Sequence, residues 1–170
     1  MRGYIPSVLF MAGGTHQTLH QRMTTEVGCI GKCTVGLTTA ELNLITEDVS
    51  KALDHPKGIE LFEKFLQRTQ RRSDLACLEM YRLCSDIERS SMGHTDLIDE
   101  IDRILQVARM RRIQAVDFPL QRELWQARSS PSKNDKLSVI AKTKYQVMKR
   151  LEGAHDDFRK YAPRPCPRSN

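Results

Sequence analysis

An all-α fold is what the sequence predicts, on three observations. From about residue 44 onward apolar residues recur at three- and four-residue steps, no stretch alternates with the period of a strand, and capping residues and proline or glycine stops cut the chain into helix-length segments. The 170 residues suffice for one domain, which hides roughly 70% of the surface its unfolded chain exposes. An apolar fraction of 39% and a charged fraction of 28% fit a soluble globular protein. No apolar run approaches the roughly 18 residues of a membrane span, which argues against a transmembrane protein.

Residues 1–43 are rich in Gly and Thr, hold five charged residues and show no sustained period, so they read as a poorly ordered leader. Arg2 before the apolar residues 5–12 has the order of a secretory signal, but the apolar part is short and lacks a small-x-small cleavage site. A helical domain is expected over residues 44–163. Val49, Ala52 and Leu53 form one helical face that stops at His55-Pro56, because the residue before proline is pushed out of the α region. The next helix carries Ile59, Phe62 and Leu66 with Leu61 and Phe65 beside them, a broad buried stripe. Ser73 is expected to cap a third helix whose Leu75, Leu78, Tyr81, Cys84 and Ile87 point inward.

After a polar loop at residues 90–94, Thr95 is expected to cap a helix with Leu97, Ile98, Ile101, Ile104, Leu105 and Ala108 on one face. A short helix starting at Pro119 carries Leu120, Leu124 and Trp125. Asp135 opens a long helix with Leu137, Ile140, Ala141, Tyr145, Met148 and Leu151 aligned and Gly153 as its stop. Phe158 and Tyr161 fall on a last short helix ended by Pro163, and residues 164–170 read as a disordered tail.

This succession of helices resembles the regulator of G-protein signalling (RGS) domain, a bundle of about nine helices. The likeness starts at Asp48-Val-Ser-Lys-Ala-Leu-Asp-His-Pro-Lys-Gly-Ile-Glu-Leu-Phe-Glu-Lys-Phe-Leu66, which is similar to the family's opening helices, with Gly58, Phe62, Phe65 and Leu66 carrying the match. It continues at Ser73-Asp-Leu-Ala-Cys-Leu78, where the family has an acidic-Asn pair, and at Val116-Asp-Phe-Pro119, where it has a Val-Asn-Leu-Asp-like loop. Asp156-Asp-Phe-Arg-Lys-Tyr161 is similar to the family's Asp-Ser-Tyr-x-Arg-Phe. Residue 78 is Leu where the family commonly has a core tryptophan.

The resemblance implies binding to the activated α subunit of a heterotrimeric G protein, through Ser73, Asp74, Asp117, Phe118, Asp156, Arg159 and Lys160. It also implies faster GTP hydrolysis with no catalytic residue, cofactor or metal of the chain's own, because the α subunit carries its own arginine and glutamine. At the expected contacts Ser73 and Asp74 stand for the acidic-Asn pair and Asp117 for the second interface asparagine. An ionised aspartate only accepts hydrogen bonds, whereas an asparagine amide also donates. A carboxylate about 6 Å from the developing phosphate charge would repel it by roughly 3 kcal/mol at an effective dielectric near 20. Asp74 and Asp117 are therefore expected side by side on the surface, blunting acceleration more than binding. The rival reading is a helical scaffold that binds another protein without affecting nucleotide hydrolysis.

Other constellations point elsewhere more weakly. His16, His20, Cys29 and Cys33 are four potential zinc ligands, but their order matches no common finger. The five cysteines are an odd set without a dense framework, which reads as reduced thiols in an intracellular compartment. Cys77 and Cys84, two turns apart on one helix, read as buried small apolar groups. No nucleophile–base triad or paired-carboxylate site is recognisable, so an enzyme acting on a small molecule is not expected. The net charge of +6 resides in residues 96–170, with 16 Lys/Arg against 10 Asp/Glu. There Arg109, Arg111, Arg112, Lys142, Lys149 and Arg150 read as a solvated helix face or as a surface for anionic membrane. Nucleic-acid binding lacks interleaved aromatics and a motif. The location expected is cytoplasmic, with a peripheral place at the plasma membrane.

Overall fold

The computed structural model describes residues 30–31 and 36–165. Among them the chain forms seven α-helices and no strand: α1 (Thr39–Glu47), α2 (Val49–Asp54), α3 (Pro56–Arg68), α4 (Arg72–Arg89), α5 (His94–Arg111), α6 (Phe118–Ser129) and α7 (Lys133–Tyr161). The all-α expectation holds for these residues, with seven helices in place of about nine. His16, His20, Cys29 and Cys33 lie outside the described residues, as do most of the leader and positions 166–170 of the tail.

Helix α1 starts inside the stretch expected to be leader. Thr38 and Glu41 close a capping box: the Thr38 hydroxyl accepts from the Glu41 N–H at 3.1 Å, and the Glu41 carboxylate accepts from the Thr38 N–H at 2.7 Å. Asp48 caps α2 by accepting from the Lys51 N–H at 3.0 Å. His55 caps α3 through Nδ1, which accepts from the Gly58 N–H at 3.2 Å, with Pro56 in the first turn.

Two expected caps differ. Ser73 lies inside the first turn of α4, whose N-cap Arg71 makes no side-chain cap bond. That junction is set by the backbone instead: Gln70 takes a left-handed φ of 55° and the Arg71 N–H donates to the Leu66 carbonyl at 2.9 Å. At α5 the N-cap is Gly93, whose N–H is accepted by Asp96 at 3.0 Å, so Thr95 is already helical.

The expected stop at Gly153 is absent, and α7 runs through it for 29 residues. A glycine in a helix interior costs about 1 kcal/mol relative to alanine. Leu151, Ala154, His155 and Phe158, all buried, follow at steps of three, one and three and continue one apolar face across it. That burial outweighs the glycine cost. Phe158 and Tyr161 thus belong to the long helix itself. Its core stripe is also rotated: Lys136, Val139, Ile140, Thr143, Val147 and Leu151 are buried, while Ala141 and Tyr145 face solvent. Fully buried Lys136 donates from its ammonium to the Ser130 carbonyl.

Helix α7 is the axis of the molecule and makes its largest contact with α4. The pairs Asp74–Arg150 and Glu88–Lys144 show these two helices antiparallel. Asp102–Arg128 bridges α5 and α6, and Glu123–Lys142 bridges α6 and α7. Helix α3 packs on the C-terminal half of α7 through rings: Phe62 meets Phe158 edge-on at 5.4 Å, Phe65 meets Phe158 at 5.6 Å, and Phe65 meets Tyr161 at 5.7 Å.

His155 ties α7 to α1, its Nε2–H donating to the Ile45 carbonyl at 2.9 Å. Burial is the main influence that pushes its pKa below the ordinary value, against the opposing effect of this hydrogen bond. Unfolded, the imidazole titrates near 6.5. The folded state therefore takes up its proton at lower pH than the unfolded state. This contribution is complete above about pH 6.5, declines as the pH falls below it, and levels off beneath the folded pKa. The urea midpoint is expected to drop between about pH 7 and about pH 5.5, and to drop less in His155→Gln. Equal pH slopes for the two proteins would contradict this account of His155.

Candidate functional site

Ion pairs bring the start of α4 to the C-terminal half of α7, through Asp74–Arg150 and Arg71–Asp157, and the end of α5 to α4, through Arg111–Glu79, while α6 meets α7 nearer the start of α7, at Glu123–Lys142. Ser73, Asp117, Phe118, Asp156, Arg159 and Lys160 are all exposed, and all belong to these segments. Asp74 differs from the expectation, being only 6% exposed.

The reason is long-range. Arg71 lies 3.6 Å from one Asp74 oxygen and Arg150 3.9 Å from the other, so two guanidinium groups stabilise a carboxylate that the start of a helix would ordinarily present to water. Arg71 also pairs with Asp157, which in turn meets Lys160 at 3.4 Å. One Asp74 oxygen has no hydrogen-bond partner among the described residues. The cluster locks the start of α4 to α7. It also removes the Asp74 charge from the surface, so Asp74 and Asp117 do not stand exposed side by side.

Asp117 is exposed but committed: its carboxylate accepts from the Leu120 N–H at 3.0 Å and caps α6, which begins at Phe118, one residue before the expected start. Phe118 follows with 78% of its surface in water. On the α7 side Arg159 reaches Asp156 at 3.3 Å, a surface pair of little energetic weight. The exposed candidates therefore offer a ring, two acceptor carboxylates and two cations. No donor amide stands at positions 73, 74 or 117.

The expected basic face is partly neutralised. Arg111 meets Glu79 at 3.4 Å, Lys142 meets Glu123 at 2.6 Å, and Arg150 faces Asp74. Lys149 sits over the Tyr145 ring at 5.6 Å. Arg109 and Arg112 make no ion pair among the described residues.

Burial pushes the Cys77 thiol up to about 11 and the Cys84 thiol up to about 12, so both side chains act as packing groups in place of nucleophiles. Among the described residues no group of His, Cys, Asp and Glu is arranged to hold a metal ion, and no helix is long and apolar enough to cross a membrane.

A feature that the sequence pattern did not single out is a groove along the outer side of α6, lined by Phe118, Arg122 and Trp125 together with Arg109 of α5. Trp125, read from sequence as part of the α6 apolar set, is 48% exposed, while Leu120, Leu124 and Ala127 are the buried face. The spacing of 118, 122 and 125 in a helix already puts these three on one stripe. What the sequence lacked was any sign that Arg109 closes that stripe on one side. No family model, curated protein or solved structure matches this chain.

Proposed function

We propose that the chain is an RGS-like module that binds the activated α subunit of a heterotrimeric G protein and only weakly accelerates its GTP hydrolysis. Its fold is the helical bundle of that family. One observation carries it: Ser73, Asp117, Phe118, Asp156, Arg159 and Lys160, from the three later segments of the resemblance, are all exposed on an all-helical bundle, in which Asp74–Arg150 and Arg71–Asp157 join the start of α4 to the C-terminal half of α7. Asp74 is left out of the contact surface and assigned to holding α4 against α7.

In this reading the module has no active site of its own. It binds the reactive arrangement of the α-subunit switch loops more tightly than the ground state, and only that difference speeds hydrolysis. Asp117 limits the gain, because its carboxylate is engaged by Leu120 and has no donor to give. The setting is cytoplasmic, and Arg109, Arg112 and Lys149 are the cations left to meet an anionic membrane surface.

The test pairs a pull-down against aluminium-fluoride-activated α subunits with single-turnover GTP hydrolysis. Capture of at least one activated subunit with little acceleration is expected. Asp117→Asn, which keeps the helix cap and adds two donors, should raise the acceleration several-fold. If no α subunit is captured, the reading fails and the scaffold alternative, favoured by the exposed rings of α6, takes its place.

A further inference from the structure

We infer that the groove on the outer side of α6 docks an acidic amphipathic helix of a partner protein. The inference does not rest on the G-protein reading, and it gives Phe118 and Arg109, named there as contacts of the α subunit and the membrane, a different partner. Phe118 and Trp125 are seven residues apart on α6, two turns along one side, and both rings stand in water while the opposite face of the helix is core. A Phe and a Trp held open on one stripe offer the large, stiff contact area that marks the centre of binding surfaces.

The groove has a volume of about 790 Å³ and is also bordered by Gln121 and Gln126. Its anchors at positions 118, 122 and 125 have the spacing of helix-in-groove recognition, in which side chains meet at three- and four-residue steps. A flat lipid surface would leave such a concavity unfilled.

Charge selects the occupant. Among the described residues no carboxylate lines the groove, whereas Arg109 stands at one side and Arg122 along the stripe, and neither makes an ion pair there. Glu123, on the same helix, is already bound by Lys142 at 2.6 Å. The Trp125 ring is held in place: Arg128 lies 5.8 Å from its centroid and is itself fixed by two bonds to Asp102, at 2.6 and 2.9 Å. A helix with apolar anchors flanked by Glu or Asp would cover the rings and supply the carboxylates that two uncompensated guanidinium groups require. A basic helix would be repelled.

Trp125 is the only tryptophan of the chain, so its emission reports on this groove alone. The full chain is titrated with a synthetic amphipathic helix carrying Leu on one face and Glu on the other, and with its Lys counterpart. Phosphatidylserine-containing vesicles form a third arm. A saturable blue shift with the Glu peptide alone is expected, weakened at least about tenfold at low salt in Arg109→Glu/Arg122→Glu. Both arginines are exposed, and an unchanged thermal transition shows that the variant is folded. An equal response to the Lys peptide, no response to either peptide, an unaffected double variant, or a shift produced by vesicles in place of peptide would overturn the inference.

Discussion

Replacing Phe62 by Ala is expected to lower the unfolding free energy by about 3–5 kcal/mol, the usual cost of removing a buried phenylalanine and leaving a cavity. The ring is fully buried and stands edge-on to Phe158 at 5.4 Å and to His155 at 5.9 Å. Phe158 in turn meets Phe65 at 5.6 Å, so one deletion removes a partner from a cluster that joins α3 to α7. These edge-on contacts add roughly 0.5–1.5 kcal/mol per pair beyond burial of area. A domain of this size is typically stable by only about 5–15 kcal/mol, which places the variant near the limit of folding at ordinary temperatures. Urea unfolding followed by circular dichroism measures the loss. Phe118→Ala serves as the control: that ring is largely in water and should change stability by no more than about 0.5 kcal/mol. Similar losses for the two variants would mean that Phe62 does not face the core.

The segments that sequence read well are those whose apolar pattern admits one solution. In α5, Leu97, Ile101, Ile104, Leu105 and Ala108 can share a face only by pointing inward together, and all five are buried. Residues 58–66 behave likewise. In α7 two neighbouring stripes compete: Leu137, Ala141, Tyr145 and Met148 lie beside Val139, Thr143 and Val147. The choice falls to what α4 and α6 present to them, which no local period records. Gly153 misleads for a related reason, since a glycine that ends a helix and one tolerated within it differ only in whether the residues beyond have a core to join.

The candidate site divides in the same way. Asp117 and Phe118 are exposed as their place before a proline indicates, because capping is a local property. The burial of Asp74 depends on Arg150, far along the chain, and the α6 groove depends on Arg109 of a different helix. Neither pairing leaves a trace in spacing. Sequence could propose that residues near 73, 117 and 156 belong together, since the resemblance carried that, but not which of their side chains would be spent on holding the bundle.

Gly58 and Gly153 are both helical, and the same change should move stability in opposite directions. A Cβ at Gly58 would stand 2.5 Å from the Ala52 carbonyl oxygen and 2.9 Å from the Ile45 Cγ2. The carbonyl belongs to the backbone of α2 and cannot rotate aside, so the helix itself would have to shift. Gly58 is also the donor to His55 that starts α3, and Ile45 is the residue whose carbonyl receives His155, so a displacement here reaches α1, α2, α3 and α7 at one joint. Alanine is the better helix former by about 1 kcal/mol, yet overpacking costs about 1–3 kcal/mol and more where backbone is the obstacle. Gly58→Ala should therefore destabilise by about 1–3 kcal/mol. At Gly153 nothing lies within 4 Å of the added carbon and the backbone is already helical, so Gly153→Ala should stabilise by about 0.4–1 kcal/mol through the entropy it removes from the unfolded chain. Urea midpoints of the two variants beside the parent decide the matter. A stabilised Gly58→Ala would mean that α2 and α3 do not approach as closely as the Ala52 contact requires, and with that the most specific segment of the resemblance would lose its packing role.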